Sequence, residues 1–197
     1  GQAADVFVFT DGELFSGNLD GGSGLDTLDY SAYTTAVTVN LANGKATGVD
    51  GIANIEIMNG GQLTNTLVGD QKANYFMIGT GDITVIGYGG NDTYVILPGA
   101  GNDLIVEQAG SGIDTLDLSL ATGALSFAFS LSGFVAQGNG AISGSGIENF
   151  VGNFAARRVF DEISQMGLHG GCFRCFVVCC VVLLCDVVFF CFCVLFW

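Results

Sequence analysis

Short apolar triplets separated by glycine-rich turns set the pattern from residue 65 to residue 117. Asn65-Thr66-Leu67-Val68, Asn74-Tyr75-Phe76-Met77, Ile83-Thr84-Val85-Ile86 and Asp92-Thr93-Tyr94-Val95 begin nine residues apart, and Asp103-Leu104-Ile105-Val106 and Asp114-Thr115-Leu116-Asp117 follow at intervals of eleven. Three extended residues let one apolar side chain face a core, and a glycine-rich turn lets the backbone reverse tightly through positive φ. A period this regular predicts a solenoid. If two units make one coil, turns eighteen to twenty-two residues apart stack on the same edge, which sets Asp92 over Asp114 and the turn before Ile83 under the turn carrying Asp103.

The same alternation extends in both directions. Val6-Phe7-Val8-Phe9 reads as a strand from the outset, as expected of a chain that begins inside a larger protein, and no signal peptide is visible. From Asp26 the chain continues through Val37-Thr38-Val39-Asn40-Leu41 to Gly51-Ile52-Ala53-Asn54-Ile55-Glu56. A similar run leads from Asp114 through Leu125-Ser126-Phe127-Ala128-Phe129 to Gly146-Ile147-Glu148-Asn149-Phe150, starting 88 residues later. Regular units thus alternate with longer, less regular coils, and residues 1–154 are expected to be an all-β, mainly parallel solenoid. Tyr30, Tyr33, Phe76, Tyr94, Phe127, Phe129 and Phe150 read as core or ladder residues rather than as ligand platforms.

Gly21-Gly22-Ser23-Gly24-Leu25-Asp26-Thr27-Leu28-Asp29 fits the nonapeptide Gly-Gly-x-Gly-x-Asp-x-apolar-x at every specified position. Gly87 to Val95, Pro98 to Val106 and Ala109 to Asp117 each depart from it by one glycine. These residues resemble the calcium-binding repeats-in-toxin (RTX) family of secreted bacterial proteins. The resemblance implies a parallel β-roll with calcium between stacked turns. It points to Asp26, Asp92, Asp103 and Asp114 as carboxylate ligands, joined by turn carbonyls of Gly22, Gly24, Gly90, Gly99, Gly101 and Gly112. Asp92 with Asp114 is the best pair, whereas Asp82 is one position away from the motif carboxylate. A turn that aims carbonyls and a carboxylate at one point suits calcium, which takes six to eight hard oxygen ligands. The two-tier repeat resembles very large bacterial surface and secreted proteins more than compact toxins.

Charge sharpens this reading. The chain of 197 residues has a formal net charge of -14, and residues 1–154 hold 16 acidic side chains against only Lys45 and Lys72. Nucleic acid is therefore not an expected partner, because phosphate binding needs clustered Lys and Arg. Cations are. Isolated acids such as Asp5, Asp11, Asp50 and Asp70 read as solvated surface. The 31 glycines against one proline suit turns.

The pattern changes after residue 154. Ala155, Ala156, Val159, Phe160, Ile163 and Met166 recur at helical spacing, so 155–171 is expected to hold a short amphipathic helix that could cap the open end of the solenoid. All seven cysteines fall within the apolar tail, 172–197, which is interrupted by Asp186. Two readings of this tail stand side by side: a membrane-crossing helix, or a run produced by a frameshift or gene-end artefact. His169, Cys172 and Cys175 lack the fourth ligand a zinc site would need.

Enzymatic motifs are missing. There is no His-Glu-x-x-His and no Gly-x-Ser-x-Gly, and His169 is the single histidine. The pairs Asp26 with Asp29 and Asp114 with Asp117 are expected to share cations rather than perform acid chemistry. The expectation is a calcium-binding, calcium-folded structural module of an extracellular or surface-attached bacterial protein, adhesin-like or toxin-like, with neighbouring repeats as further partners. The alternative is an accessory module of a secreted hydrolase or polysaccharide epimerase whose catalytic domain lies elsewhere.

Overall fold

The computed structural model describes residues 1–108, 112–122, 126–130, 133–137 and 141–152, with the backbone alone for 126–137. The predicted helix over 155–171 and the apolar tail lie outside these residues. Seventeen strands and no helix occur among the described residues: β1 (Val6–Val8), β2 (Phe15–Asp20), β3 (Thr27–Asp29), β4 (Thr38–Asn40), β5 (Lys45–Ala46), β6 (Val49–Ala53), β7 (Ile57–Asn59), β8 (Asn65–Val68), β9 (Tyr75–Ile78), β10 (Ile83–Ile86), β11 (Thr93–Ile96), β12 (Asp103–Val106), β13 (Thr115–Asp117), β14 (Ser126–Ser130), β15 (Gly133–Gln137), β16 (Ala141–Ser145) and β17 (Asn149–Val151). Accordingly, no described helix is long and apolar enough to cross a membrane.

The strands divide into two sheets, ordered β1-β3-β7-β9-β11-β13-β17 and β14-β15-β16-β12-β10-β8-β4-β5-β6-β2. Every pairing in the first sheet is parallel and in register, so Val6, Thr27, Ile57, Tyr75, Thr93, Thr115 and Asn149 lie side by side. Successive units from β8 to β13 alternate between the sheets, which is what a nine-residue unit with one reversal per turn dictates. Two antiparallel excursions interrupt the parallel pattern in the second sheet, β4-β5-β6 and β14-β15-β16. They correspond to the longer irregular coils, where added chain length permits local hairpins.

Side chains alternate across each strand, and the inner set forms one core contributed by both sheets. Leu28, Met58, Phe76, Tyr94 and Leu116 from the first sheet meet Val39, Leu67, Val85 and Ile105 from the second, all fully buried. Phe76 stacks on Tyr94 with ring centroids 5.0 Å apart and planes 4° from parallel, as in-register neighbours must. Tyr30 and Tyr33 are also core residues, in edge contact at 5.1 Å. Phe150 is half-buried against the core.

The second position of the repeat unit demands the left-handed region. Gly22 takes φ of 93° and Gly99 of 83°, while Tyr88, which stands where the motif has glycine, is forced to 71°.

Leu116→Ala is expected to cost about 2–5 kcal/mol, because its cavity would open in the shared core. Leu104→Ala, on the opposite face and 44% exposed, should change stability by about 0.5 kcal/mol or less. Denaturant unfolding separates the two, and equal losses would contradict the inward and outward assignment.

Candidate metal centre

The residue immediately preceding each strand of the first sheet is an acid or an amide: Asp5, Asp26, Glu56, Asn74, Asp92, Asp114 and Glu148. In-register stacking places them in one column. The backbone N–H of Asp5 donates to Asp26 Oδ1 (2.7 Å), that of Asp26 to Glu56 Oε2 (3.0 Å), and that of Asn74 to Asp92 Oδ1 (2.8 Å). The Asp92 N–H donates to Asp114 Oδ1 (2.9 Å) and the Asp114 N–H to Glu148 Oε2 (2.8 Å). Asp26, Glu56, Asp92, Asp114 and Glu148 thus each accept from the strand stacked before them, whereas Asn74 Oδ1 accepts from Asp70 N–H in its own turn (2.9 Å).

The second sheet has a sparser version. Val37 N–H donates to Asn65 Oδ1 (3.1 Å), and Ile83 N–H donates to Asp103 Oδ1 (2.9 Å). Asp82 aligns with the preceding turn residue, accepting from Asn102 N–H (2.9 Å), so its displacement from the motif position is real. Stacking of Asp92 on Asp114 and of the Ile83 turn on the Asp103 turn follows the predicted interval.

All four aspartates singled out from the sequence are buried. For Asp26, Asp92 and Asp103 the hydrogen bonds engage one carboxylate oxygen, and Oδ2 has no hydrogen-bond partner. An unmatched buried carboxylate oxygen is costly, and a cation would supply its missing partner. The glycines predicted to offer carbonyls lie in the same turns. Gly24 (φ 141°) and Gly90 (φ 109°) adopt conformations that side chains disfavour. Gly101 and Gly112 pack so closely on the previous turn that a Cβ would collide with the carbonyl oxygens of Gly81 and Gly90, respectively.

Asp29 and Asp117 do not join their neighbours Asp26 and Asp114 in a shared site. Each accepts instead from a backbone N–H two residues on, Ser31 and Ser119, both at 2.8 Å, and so fixes the turn that follows its strand. Asp11, expected on a solvated surface, is exposed but ties two loops together by accepting from Thr34 and Thr35.

A further acid enters the centre. Oxygen atoms of Asp92, Glu107 and Asp114 lie within 4.8 Å of one another, all three residues being buried, and Tyr94 Oη donates to Glu107 Oε1. Glu107 follows β12 in the second sheet, whereas Asp92 and Asp114 precede β11 and β13 in the first. Its sequence signal is a carboxylate directly after a strand, where the aligned turns of the nine-residue units have the glycines Gly69 and Gly87. Glu56 and Glu148 carry a plainer signal: each is an acid directly before a strand.

Three full charges at this spacing repel by at least about 3 kcal/mol per pair at an effective dielectric near 20, or on the order of 10 kcal/mol together. That rivals the stability of a whole domain, and no ion pair to these groups exists among the described residues. Burial, followed by the charge of Asp114, pushes Asp92 up to about 7 and Glu107 up to about 8. Burial also raises Asp114, and it lifts Asp103 to about 7, aided by the charge of Asp82. The triad could hold a metal ion, and burial favours the protonated forms of its carboxyls where no cation offsets their charge.

A comparison with models of protein families finds no match, and no curated protein matches the chain.

The raised carboxyls fix the sign of a pH effect in chelator. Between about pH 4 and pH 7 the folded state binds more protons than the unfolded chain, so stability present at low pH is lost as pH rises. Moving Asp103 alone from 3.8 to about 7 corresponds to on the order of 4 kcal/mol. The unfolding midpoint in chelator should therefore be higher at pH 5 than at pH 8, as followed by thermal circular dichroism, and the opposite order would contradict the burial of these groups.

Proposed function

We propose that this chain is a calcium-binding structural module of a secreted or cell-surface bacterial protein, a parallel β-roll of the RTX kind whose folding is completed by calcium. The observation that carries this reading is the column of acid and amide side chains before the strands of the first sheet, with buried carboxylate oxygens left over for a cation. Ligands of this kind are all oxygen, with no histidine or thiolate among them, which favours a hard cation over zinc or copper.

The energetic logic is linkage. Sites built from turns of different coils do not exist in the unfolded chain, so binding adds directly to folding stability. Repulsion within the column and the entropy of ordering glycine turns oppose folding of the metal-free chain. Extracellular modules bind calcium at about 0.1–1 mM, which leaves the fold of such a chain incomplete at cytosolic calcium and completed outside the cell. Parts of the stack carry no carboxylate, as at Ile83 and Asn65, and cohere there through apolar contact and hydrogen bonds without a cation.

Circular dichroism of the full chain should show β-structure that increases from chelator to millimolar calcium and reverses on chelation. Equal β-content in both conditions would remove the proposed switch. Asp26→Asn together with Asp103→Asn should lower the calcium stoichiometry measured by calorimetry, and an unchanged stoichiometry would exclude those turns as sites.

A further inference from the structure

We propose that Asp92, Glu107 and Asp114 bind one calcium ion at the junction of the two sheets, with Glu107 as a ligand from outside the repeating turn. This rests on the cation reading of the turns and adds to it a site with a specific, non-repeating ligand.

The surroundings of Glu107 are built to admit it. The aligned residues in the coils before and after it are Gly87 and Gly146, as their neighbours pair in register. A Cβ on Gly87 would collide with Glu107 Oε1 and with Tyr94 Oη, and one on Gly146 would lie 2.5 Å from Glu107 Cβ. Three positions of this column therefore present one side chain, and that side chain is an acid turned into the interior, 7% exposed. A buried acid beside two other buried acids is costly unless its charge has a counterpart.

Two observations point to a ligand at this place. Three carboxylates converge without a basic group among the described residues. Independently, Asp92 is 1% exposed and its Oδ2 has no hydrogen-bond partner. Calcium bonds oxygen at about 2.3–2.6 Å, so oxygens on opposite sides of one ion stand about 4.6–5.2 Å apart. Three oxygens within 4.8 Å of one another have a common point no more than about 2.8 Å from each, so a shift of a few tenths of an ångström brings all three to an ion. Tyr94 contributes by orientation: its hydroxyl donates to Glu107 Oε1 and its ring is held by the stack on Phe76, which fixes the carboxylate. Burial raises the proton affinity of all three carboxyls, in keeping with a centre that exchanges protons for a cation.

The test uses the full chain and Glu107→Gln, which keeps the shape of the side chain and removes its charge. In chelator this variant should unfold at a higher temperature than the parent, because repulsion is relieved. In millimolar calcium the order should invert, and calorimetry should count one ion fewer. Terbium supplies a second readout, since an ion bound beside Tyr94 is excited through that ring. Tyrosine-excited terbium emission should fall in Glu107→Gln through loss of the ion, and in Tyr94→Phe through loss of the donor while calcium stoichiometry is retained. An unchanged ion count in Glu107→Gln, with no inversion of stability, overturns the site and leaves the triad as a proton-holding cluster. If the ion count is unchanged there but falls in Asp26→Asn with Asp103→Asn, the turn reading survives and this inference alone fails. If the parent binds no calcium, both fail.

Discussion

Parallel in-register stacking is the constraint on which everything else here depends. Neighbouring strands lie about 4.8 Å apart, so whatever a sequence places at one position of the unit meets its own kind in the next coil. For apolar residues this is favourable, and Leu28, Met58, Phe76, Tyr94 and Leu116 form a continuous inner row. For carboxylates it is unfavourable unless something of opposite charge intervenes. The same geometry that builds the core therefore creates the acidic column, and the two cannot be separated by sequence changes that keep the register.

Much of this was legible in the residues. The interval of nine fixes which side chains point inward, and the positions of Asp26, Asp92, Asp103 and Asp114 relative to their strands follow from it directly. The antiparallel excursions β4-β5-β6 and β14-β15-β16 were less accessible, because a longer interval between units announces extra chain without saying how it pairs. Glu107 escaped for a related reason. Its importance comes from the glycines at 87 and 146, which are distant in sequence and adjacent only after two different coils are stacked on its own. The roles of Asp29 and Asp117 were obscured by proximity, since a spacing of three residues along a strand that ends in a turn leads away from the neighbouring acid and toward the next backbone N–H.

Five side-chain acceptors of the first sheet's column and two of the second sheet face one way. Asp26 accepts from Asp5, Glu56 from Asp26, Asp92 from Asn74, Asp114 from Asp92 and Glu148 from Asp114, and in the other sheet Asn65 accepts from Val37 and Asp103 from Ile83. At these levels a backbone N–H is satisfied by a side chain from the strand that follows in the stack, whereas Glu56 N–H donates back to the Asp26 carbonyl, Asn74 Oδ1 accepts within its own turn from Asp70, and Asp82 accepts from the later Asn102. The stack therefore has a polarity at those seven levels, each of which is complete only when the segment synthesised afterwards has arrived. Until it arrives, the backbone N–H groups of Asp5, Asp26, Asn74, Asp92, Asp114, Val37 and Ile83 lack these acceptors, so the earlier segments of the chain are finished by the later ones.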